Sequence, residues 1–271
     1  MSQQHSNSYI HQSAKLHPSV TVGSFCHIGQ GVEIGEGSIV GHHVVIHNDT
    51  KIGARVRIDD HAVLGKSPMK AINSATTTIK PLPPLEIGND CLIGTAAIIY
   101  RGARLGPKCL VADLGGVREE VTIGEGTIIG RGAYVENQSS VGRFVKLETM
   151  VYIAAYSTIG DRCFVAPMVT VTNDNFVGRT KERFDHFKGV TIERGGRVGA
   201  NATLLPGAVI EEDALVAAGS IVRGHAPARK ISLGQPARVI RDVPEPQLLE
   251  NQGWPDVIPT SNHTPDGPGR R

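Results

Sequence analysis

Aliphatic residues recur at every sixth position along most of the chain: from Ile10 through Leu16, Val22 and Ile28 to Leu64, again from Ile87 to Val171, and once more from Ile192 to Val222. Thirty-one positions in three runs obey this period, which is neither the 3.6 of a helix nor the alternation of a long strand. Two residues before the aliphatics small or β-branched residues recur, as at Val32, Ser38, Val44, Thr50, Val56 and Ala62. Two inward side chains in every six residues predict a short strand and a tight corner, repeated. The residue after the aliphatic is often glycine, which suits a corner needing positive φ.

The pattern resembles the hexapeptide repeat of the left-handed parallel β-helix, so the expected fold class is all-β. That likeness implies coils of three flat faces and three corners. The handedness comes from the resemblance alone, because the general crossover rule favours right-handed connections. Three repeats per coil give about ten coils stacked at roughly 4.8 Å. The expected organisation is an N-terminal tail over 1–9 and a β-helix domain over 10–227 with loops 66–86 and 173–191. A cap segment follows over 228–253, with a short helix around Val243–Asn251, and then a disordered tail over 254–271.

Composition narrows the function classes. The formal charge is +2 and charges of both signs are spread along the chain, which gives nucleic acid or an anionic membrane no basic surface to seek. No run approaches the roughly 18 apolar residues of a membrane span, and the polar N-terminus lacks a secretory core, so a cytoplasmic protein is expected. Cys26, Cys91, Cys109 and Cys163 all fall two residues before an aliphatic. They are expected as core fillers, with neither disulfides nor a cysteine metal site.

Counting faces by threes singles out one corner. After the first-face strands the next residue is glycine seven times running, from Gly35 and Gly53 to Gly160. After the third-face strands the corresponding residues are Tyr100, Arg118, Glu136, Ala154 and Thr172, followed by Arg101, Glu119, Asn137 and Ala155, then Glu120, Gln138 and Tyr156. Both loops leave from this third corner, about five coils or roughly 24 Å apart. A polar column between two loops, where the local glycine rule lapses, is the expected functional surface.

DLGGVRE at 113–119, GAYVEN at 132–137, TNDNFVGR at 172–179, GANATLLPG, LVAAGSIV and LGQPARVIRDVP together resemble the nucleotide-sugar N-acyltransferases with hexapeptide repeats. The likeness is closest to enzymes that acetylate an amino group on a dTDP- or UDP-linked deoxysugar for cell-surface polysaccharide synthesis. It implies a homotrimer with sites between subunits and acetyl-CoA along the C-terminal coils. It places Asp113, Arg118, Glu119 and Asn137 near the sugar amine, with Asn173, Asp174 and Asn175 shaping the sugar pocket; Glu136 and Tyr156 of the polar column and Arg179 of the TNDNFVGR run are further expected substrate contacts. Contacts to CoA are implied for Ala217, Ala218 and Gly219 and for Arg229, Lys230, Gly234, Pro236 and Arg238.

Amide formation from a thioester needs an unprotonated amine and two substrates held in line. Glu119 and Asp113 can accept the amine's proton, and His186 in the second loop is another candidate base. Asn137 lies one coil above Glu119. If Glu119 and Asn137 face the substrate, Glu119→Gln and Asn137→Ala are expected to lower turnover without changing stability. His42, His43, His47 and His61 raise a second reading, a γ-class carbonic anhydrase needing three imidazoles around zinc. The first reading expects no metal. A catalytically silent trimeric scaffold is the third.

Overall fold

The structure, a computed structural model, describes residues 7–254. Except for Trp254, the tail expected to be disordered lies outside the described residues, as does most of the N-terminal tail. Strands of mostly two residues alternate with corners, and every third strand pairs in parallel with its counterpart one coil on, as in Tyr9 with His27 and Ile10 with Ile28. Three sheets of 11, 11 and 12 strands form the faces of a left-handed β-helix. The coils number eleven rather than about ten, because His225–Ala226 and Lys230–Gly234 extend two of the faces beyond the last aliphatic of the pattern.

The interior is one continuous column of buried aliphatic side chains, with Ile28, Ile46, Ile99, Leu147 and Ile192 fully enclosed. The four cysteines are buried free thiols within it. Cys26 donates to the Gly41 carbonyl at 3.0 Å and Cys163 to that of Glu193 at 3.0 Å. Burial pushes the Cys163 thiol up to about 12. Ser38 and Thr127 fill the same inward row and satisfy their hydroxyls on the carbonyls of Gly53 and Gly142.

The glycines of the first corner have a different cause from the one read in the sequence. Gly53 does not have positive φ; that conformation falls two residues later, on Arg55 at 54°. A Cβ on Gly53 would instead lie 2.4 Å from Asn89 Oδ1 and 2.9 Å from the Gly88 backbone of the next coil. Close stacking of corners demands the glycine, and non-glycine residues absorb the left-handed turn.

The outward rows differ by face. The first face carries Lys15, Glu33, Lys51, Glu86 and Arg104, paired along the column in exposed ion pairs such as Lys15–Glu33 at 3.1 Å. The second and third faces expose Ile39, Leu92 and Phe164, and Tyr9 and Tyr152. Leu114, Met150 and Met168 stand exposed on the corner between them. The last strand of the second face folds back as an antiparallel hairpin, Lys230–Gly234 with Ala237–Asp242. Where one short helix was expected, two 3-10 turns stand, Glu245–Gln247 and Leu249–Asn251. Pro244 and Pro246 cannot donate the backbone hydrogen bonds of a longer helix. Val243 and Leu248 bury against Ile231 and Leu215.

Candidate active site

At the third corner each coil turns through three residues, and stacking aligns Arg118 with Glu136 and Glu119 with Asn137. The Arg118 guanidinium forks onto Glu119, with Nε to Oε2 at 2.8 Å and Nη2 to Oε1 at 3.1 Å. Its Nη1 reaches Glu136 Oε2 at 3.2 Å, and its plane lies 4.8 Å from the centre of the Tyr100 ring. One cation therefore serves two carboxylates. Burial opposes the charge on Arg118, yet Glu119 and Glu136 hold its pKa above the ordinary value. Glu136 moves up: burial is the main cause and the Glu119 charge adds to it, together outweighing Arg118.

The first loop folds over this column. Asn137 Nδ2 donates to the Thr76 carbonyl at 3.0 Å, and Arg118 Nη2 donates to Thr77 Oγ1 at 3.3 Å. Lys80 pairs with Glu120 at 2.7 Å, and Arg101 Nε donates to the Leu82 carbonyl at 3.0 Å. Glu119 and Asn137 are each only 2% exposed as a result. Asn137 Oδ1 is buried and has no hydrogen-bond partner among the described residues.

Two phenols flank the acids on the outward side of the third face. Tyr134 and Tyr152 stand on successive coils, and the Tyr134 ring packs against Gly116, where a Cβ would sit 2.2 Å from the ring. Burial raises the pKa of both phenols, and the Glu136 charge contributes to each. Gly116, Tyr134, Tyr152, Thr76 and Thr77 were not singled out in the sequence. The 18-residue spacing of Gly116, Tyr134 and Tyr152 was a usable signal, whereas the loop threonines carry no periodicity.

Not every expected residue joins the cluster. Asp113 occupies the second corner, where its Oδ1 accepts the Thr95 backbone N–H at 2.9 Å. Asn48, Asp60, Asn89 and Asp161 make the same bond to the coil before them, so Asp113 is one of a series of corner braces. The second loop closes on itself. Asp174 accepts the N–H groups of Phe176 and Gly178 at 2.9 and 3.0 Å and pairs with Arg183 at 3.0 Å. Desolvation would raise the Asp174 pKa, but those two N–H groups and Arg183 bring it below the ordinary value. Lys188 N–H donates to the Asn173 carbonyl at the loop base. Asn175, Arg179 and His186 are exposed, and His186 stands 3.6 Å from Glu182. Tyr156 lies under the returning chain, since a Cβ on Gly189 would come within 2.3 Å of its backbone.

Some of the residues implied for CoA lie together at the end of the β-helix. Gln235 Nε2 donates to the Gly219 carbonyl at 2.7 Å and the Gly234 N–H to Ser220 Oγ at 3.2 Å, joining the 217–219 corner to the hairpin tip beside Pro236. Arg229 pairs with Glu250 at 2.9 Å and Lys230 with Asp242. Arg238 Nη1 donates to the Ala237 carbonyl at 3.0 Å. The outward row Tyr134, Tyr152, Thr170, Thr203 and Ile221 runs from the acid cluster toward this corner, four coils or about 19 Å along one face.

Two family models match separate stretches of the chain. Residues 7–48 match the bacterial transferase hexapeptide (six repeats), and residues 84–112 and 189–223 match the hexapeptide repeat of succinyl-transferase. The bifunctional protein GlmU of Rubrobacter xylanophilus is 29% identical over 174 residues, 59% of this chain and 35% of that protein. Gamma carbonic anhydrase 2, mitochondrial, of Arabidopsis thaliana is 33% identical over 147 residues, 51% of this chain and 50% of that protein. The chain thus spans a third to a half of the length of these curated relatives. Among solved structures, the UDP-N-acetylglucosamine O-acyltransferase of Moraxella catarrhalis covers 94% of this chain, and the match covers 78% of that one, at 20% identity and a TM-score of 0.52. LpxA of Acinetobacter baumannii matches with the same coverage at 19% and 0.53. These two likenesses carry the fold.

Proposed function

We propose that this chain, a β-helix built on six-residue repeats, is an acyltransferase that moves an acetyl group from acetyl-CoA to the amine of a dTDP- or UDP-linked amino-deoxysugar. The observation that carries the reading is the buried Arg118–Glu119–Glu136 cluster between two loops, on a face that leads to the 217–219 corner and the hairpin. Glycines and alanines there suit close approach of a thin carrier arm. The descriptions of the two matched family models, a bacterial transferase hexapeptide and the hexapeptide repeat of succinyl-transferase, support acyl transfer.

In this mechanism Glu119 fixes Arg118, and Glu136, raised in pKa and held through one oxygen, accepts the amine proton as nitrogen attacks the thioester carbonyl; the C–S bond then breaks, and the departing CoA sulfur takes that proton from Glu136 and leaves as the thiol. Asn137, donating to the Thr76 carbonyl, holds the first loop over the cluster. His186 is a second candidate acceptor, to be separated by His186→Ala. Asp113 keeps its corner role outside the site. A homotrimer would place one copy against the apolar second and third faces of another, with exposed Val177 and Phe184 of the second loop reaching across.

Thiol release from acetyl-CoA, measured against a panel of dTDP- and UDP-amino sugars, tests the reading. Release that needs both substrates and falls about a hundredfold or more in Glu136→Gln is expected. The similarity to the Arabidopsis carbonic anhydrase favours a second reading, with His43 and His61 stacked at 4.9 Å. Stoichiometric zinc and CO2 hydration, with no thiol release from any amino sugar, would decide for it.

A further inference from the structure

On the N-terminal side of the acid cluster the first loop encloses a cleft of about 320 Å³, between its outgoing limb at Ser67 and Pro68 and its returning limb from Ile79 to Leu82. Arg101 lines this cleft and fixes both limbs. Its backbone N–H donates to the Lys66 carbonyl at 2.9 Å and its Nε to the Leu82 carbonyl at 3.0 Å, while Nη1 and Nη2 reach back to the Asn48 carbonyl and Asp49 at 2.8 and 3.2 Å. The cleft is therefore held open by its own bonds. Two prolines and two aliphatic side chains form most of its wall, with Ser67 beside them, an apolar slot with few polar groups of the kind that takes a heterocyclic base. The charges of Arg101 and Lys80 are answered by Asp49 and Glu120, so the cleft favours a neutral group.

Lys66 supplies a charge next to it. Adjoining Ser67 in the chain, it pairs in register with Tyr100 and sets its ammonium 5.6 Å from the centre of that ring, with no acidic partner among the described residues. Arg118 of the acid cluster, one coil on, attends the same ring at 4.8 Å. Cleft, ammonium and acid cluster thus follow one another along the third corner, in the order in which a nucleotide sugar carries its base, its diphosphate and its sugar.

We propose that the first-loop cleft is the nucleoside subsite of the acceptor, with Lys66 on the diphosphate. This rests on the acyltransfer reading and deepens it, because the acceptor then reaches the acid cluster from the N-terminal side and the carrier from the hairpin side.

Calorimetric titration of the full-length protein with UDP and with dTDP, in the absence of any acyl donor, tests the subsite apart from turnover. Saturable binding of at least one of them is expected. Lys66→Ala should weaken it about tenfold or more and leave binding of the free nucleoside unchanged. Ile79→Glu, at a position 62% exposed, puts a carboxylate into the cleft and should weaken nucleotide and nucleoside alike. Lys51→Ala, which removes a cation from the first face, should change neither. Binding of neither nucleotide, or binding as tight in Lys66→Ala and Ile79→Glu as in the wild type, would overturn the proposal; should Lys66→Ala fail to fold, Ile79→Glu alone decides. Displacement of the bound nucleotide by CoA would hand the cleft to the carrier's own nucleotide and overturn it as well. Thiol release keeps the two readings apart. Turnover whose KM for the nucleotide sugar is unchanged in both variants refutes the subsite and leaves acyl transfer standing, whereas nucleotide binding that both variants weaken, with no thiol release from any amino sugar, supports the subsite and refutes the acceptor amine.

Discussion

Glu119 carries the first consequence at the scale of single residues. A carboxylate 2% exposed and forked by Arg118 cannot be neutralised without leaving a buried cation short of a partner. Glu119→Gln should therefore lower stability by about 2–4 kcal/mol, in contrast to the unchanged melting temperature expected from a solvent-facing column. Glu125→Gln loses only the 3.5 Å pair with Lys108 on the first corner and should stay within about 1 kcal/mol of wild type. Urea denaturation of both variants checks the pair. Glu136 makes a prediction in pH. Its folded pKa is raised, so folding binds a proton more readily there, and the carboxylate form that would accept the amine proton in the proposed reaction appears at higher pH than for an ordinary glutamate. The acid limb of kcat/KM should be displaced upward accordingly and vanish in Glu136→Gln; a limb at the unperturbed value would remove Glu136 from the role. Gly116→Ala is a steric test, since the Tyr134 ring must leave its seat at a cost of about 1–3 kcal/mol, visible in the tyrosine near-UV signal as well as in the melt.

At the scale of elements, the two loops leave from the same corner and behave differently. The first is fastened to the column by Asn137, Arg118, Lys80 and Arg101, whereas the second is tied mainly to itself through Asp174. Because the Asp174 pKa is depressed, its contribution to loop closure is complete above the ordinary aspartate value and is lost as pH falls through the lowered one. Limited proteolysis within 173–191 should accelerate over that acidic window. Asp174→Asn should show the faster cutting at neutral pH, with the global melt unchanged. Strands, faces and the exit of both loops from one corner were legible in the period of six, because each inward position repeats the same packing problem. What the first loop does was not legible, since 66–86 has no period and its anchors are backbone carbonyls and two threonines. The hairpin was missed for a related reason: after Val222 the six-residue spacing ends, and turn chemistry at Gly234–Pro236 takes over. The corner glycines were noticed for the right positions and the wrong cause, because stacking distance between coils cannot be read along a single repeat.

At the scale of the whole molecule, the three faces are chemically unequal. A ladder of lysine, glutamate and arginine keeps the first face in water, while the second and third meet at a corner bearing exposed Leu114, Met150 and Met168. An assembly that buries that corner leaves the charged ladder outside. Light scattering is expected to give a mass near three times 28.9 kDa. Met150→Glu should shift it toward the monomer and Lys51→Glu should not; a wild-type protein monomeric at micromolar concentration would overturn the assembly and the site between subunits.

The strict pairing of each strand with the one 18 residues on has a further consequence for how such a chain can change length. Removing six residues would rotate everything beyond the cut by a third of a turn, putting Tyr152 and the hairpin over different columns from Tyr134. Removing 18 would delete one storey and leave every remaining column in line, shortening the path from Glu136 to Gly219 by a single strand spacing of about 4.8 Å. The distance between the acid cluster and the hairpin is thus quantised, and a chain altered by whole storeys would set the two apart in equal steps on an otherwise identical frame.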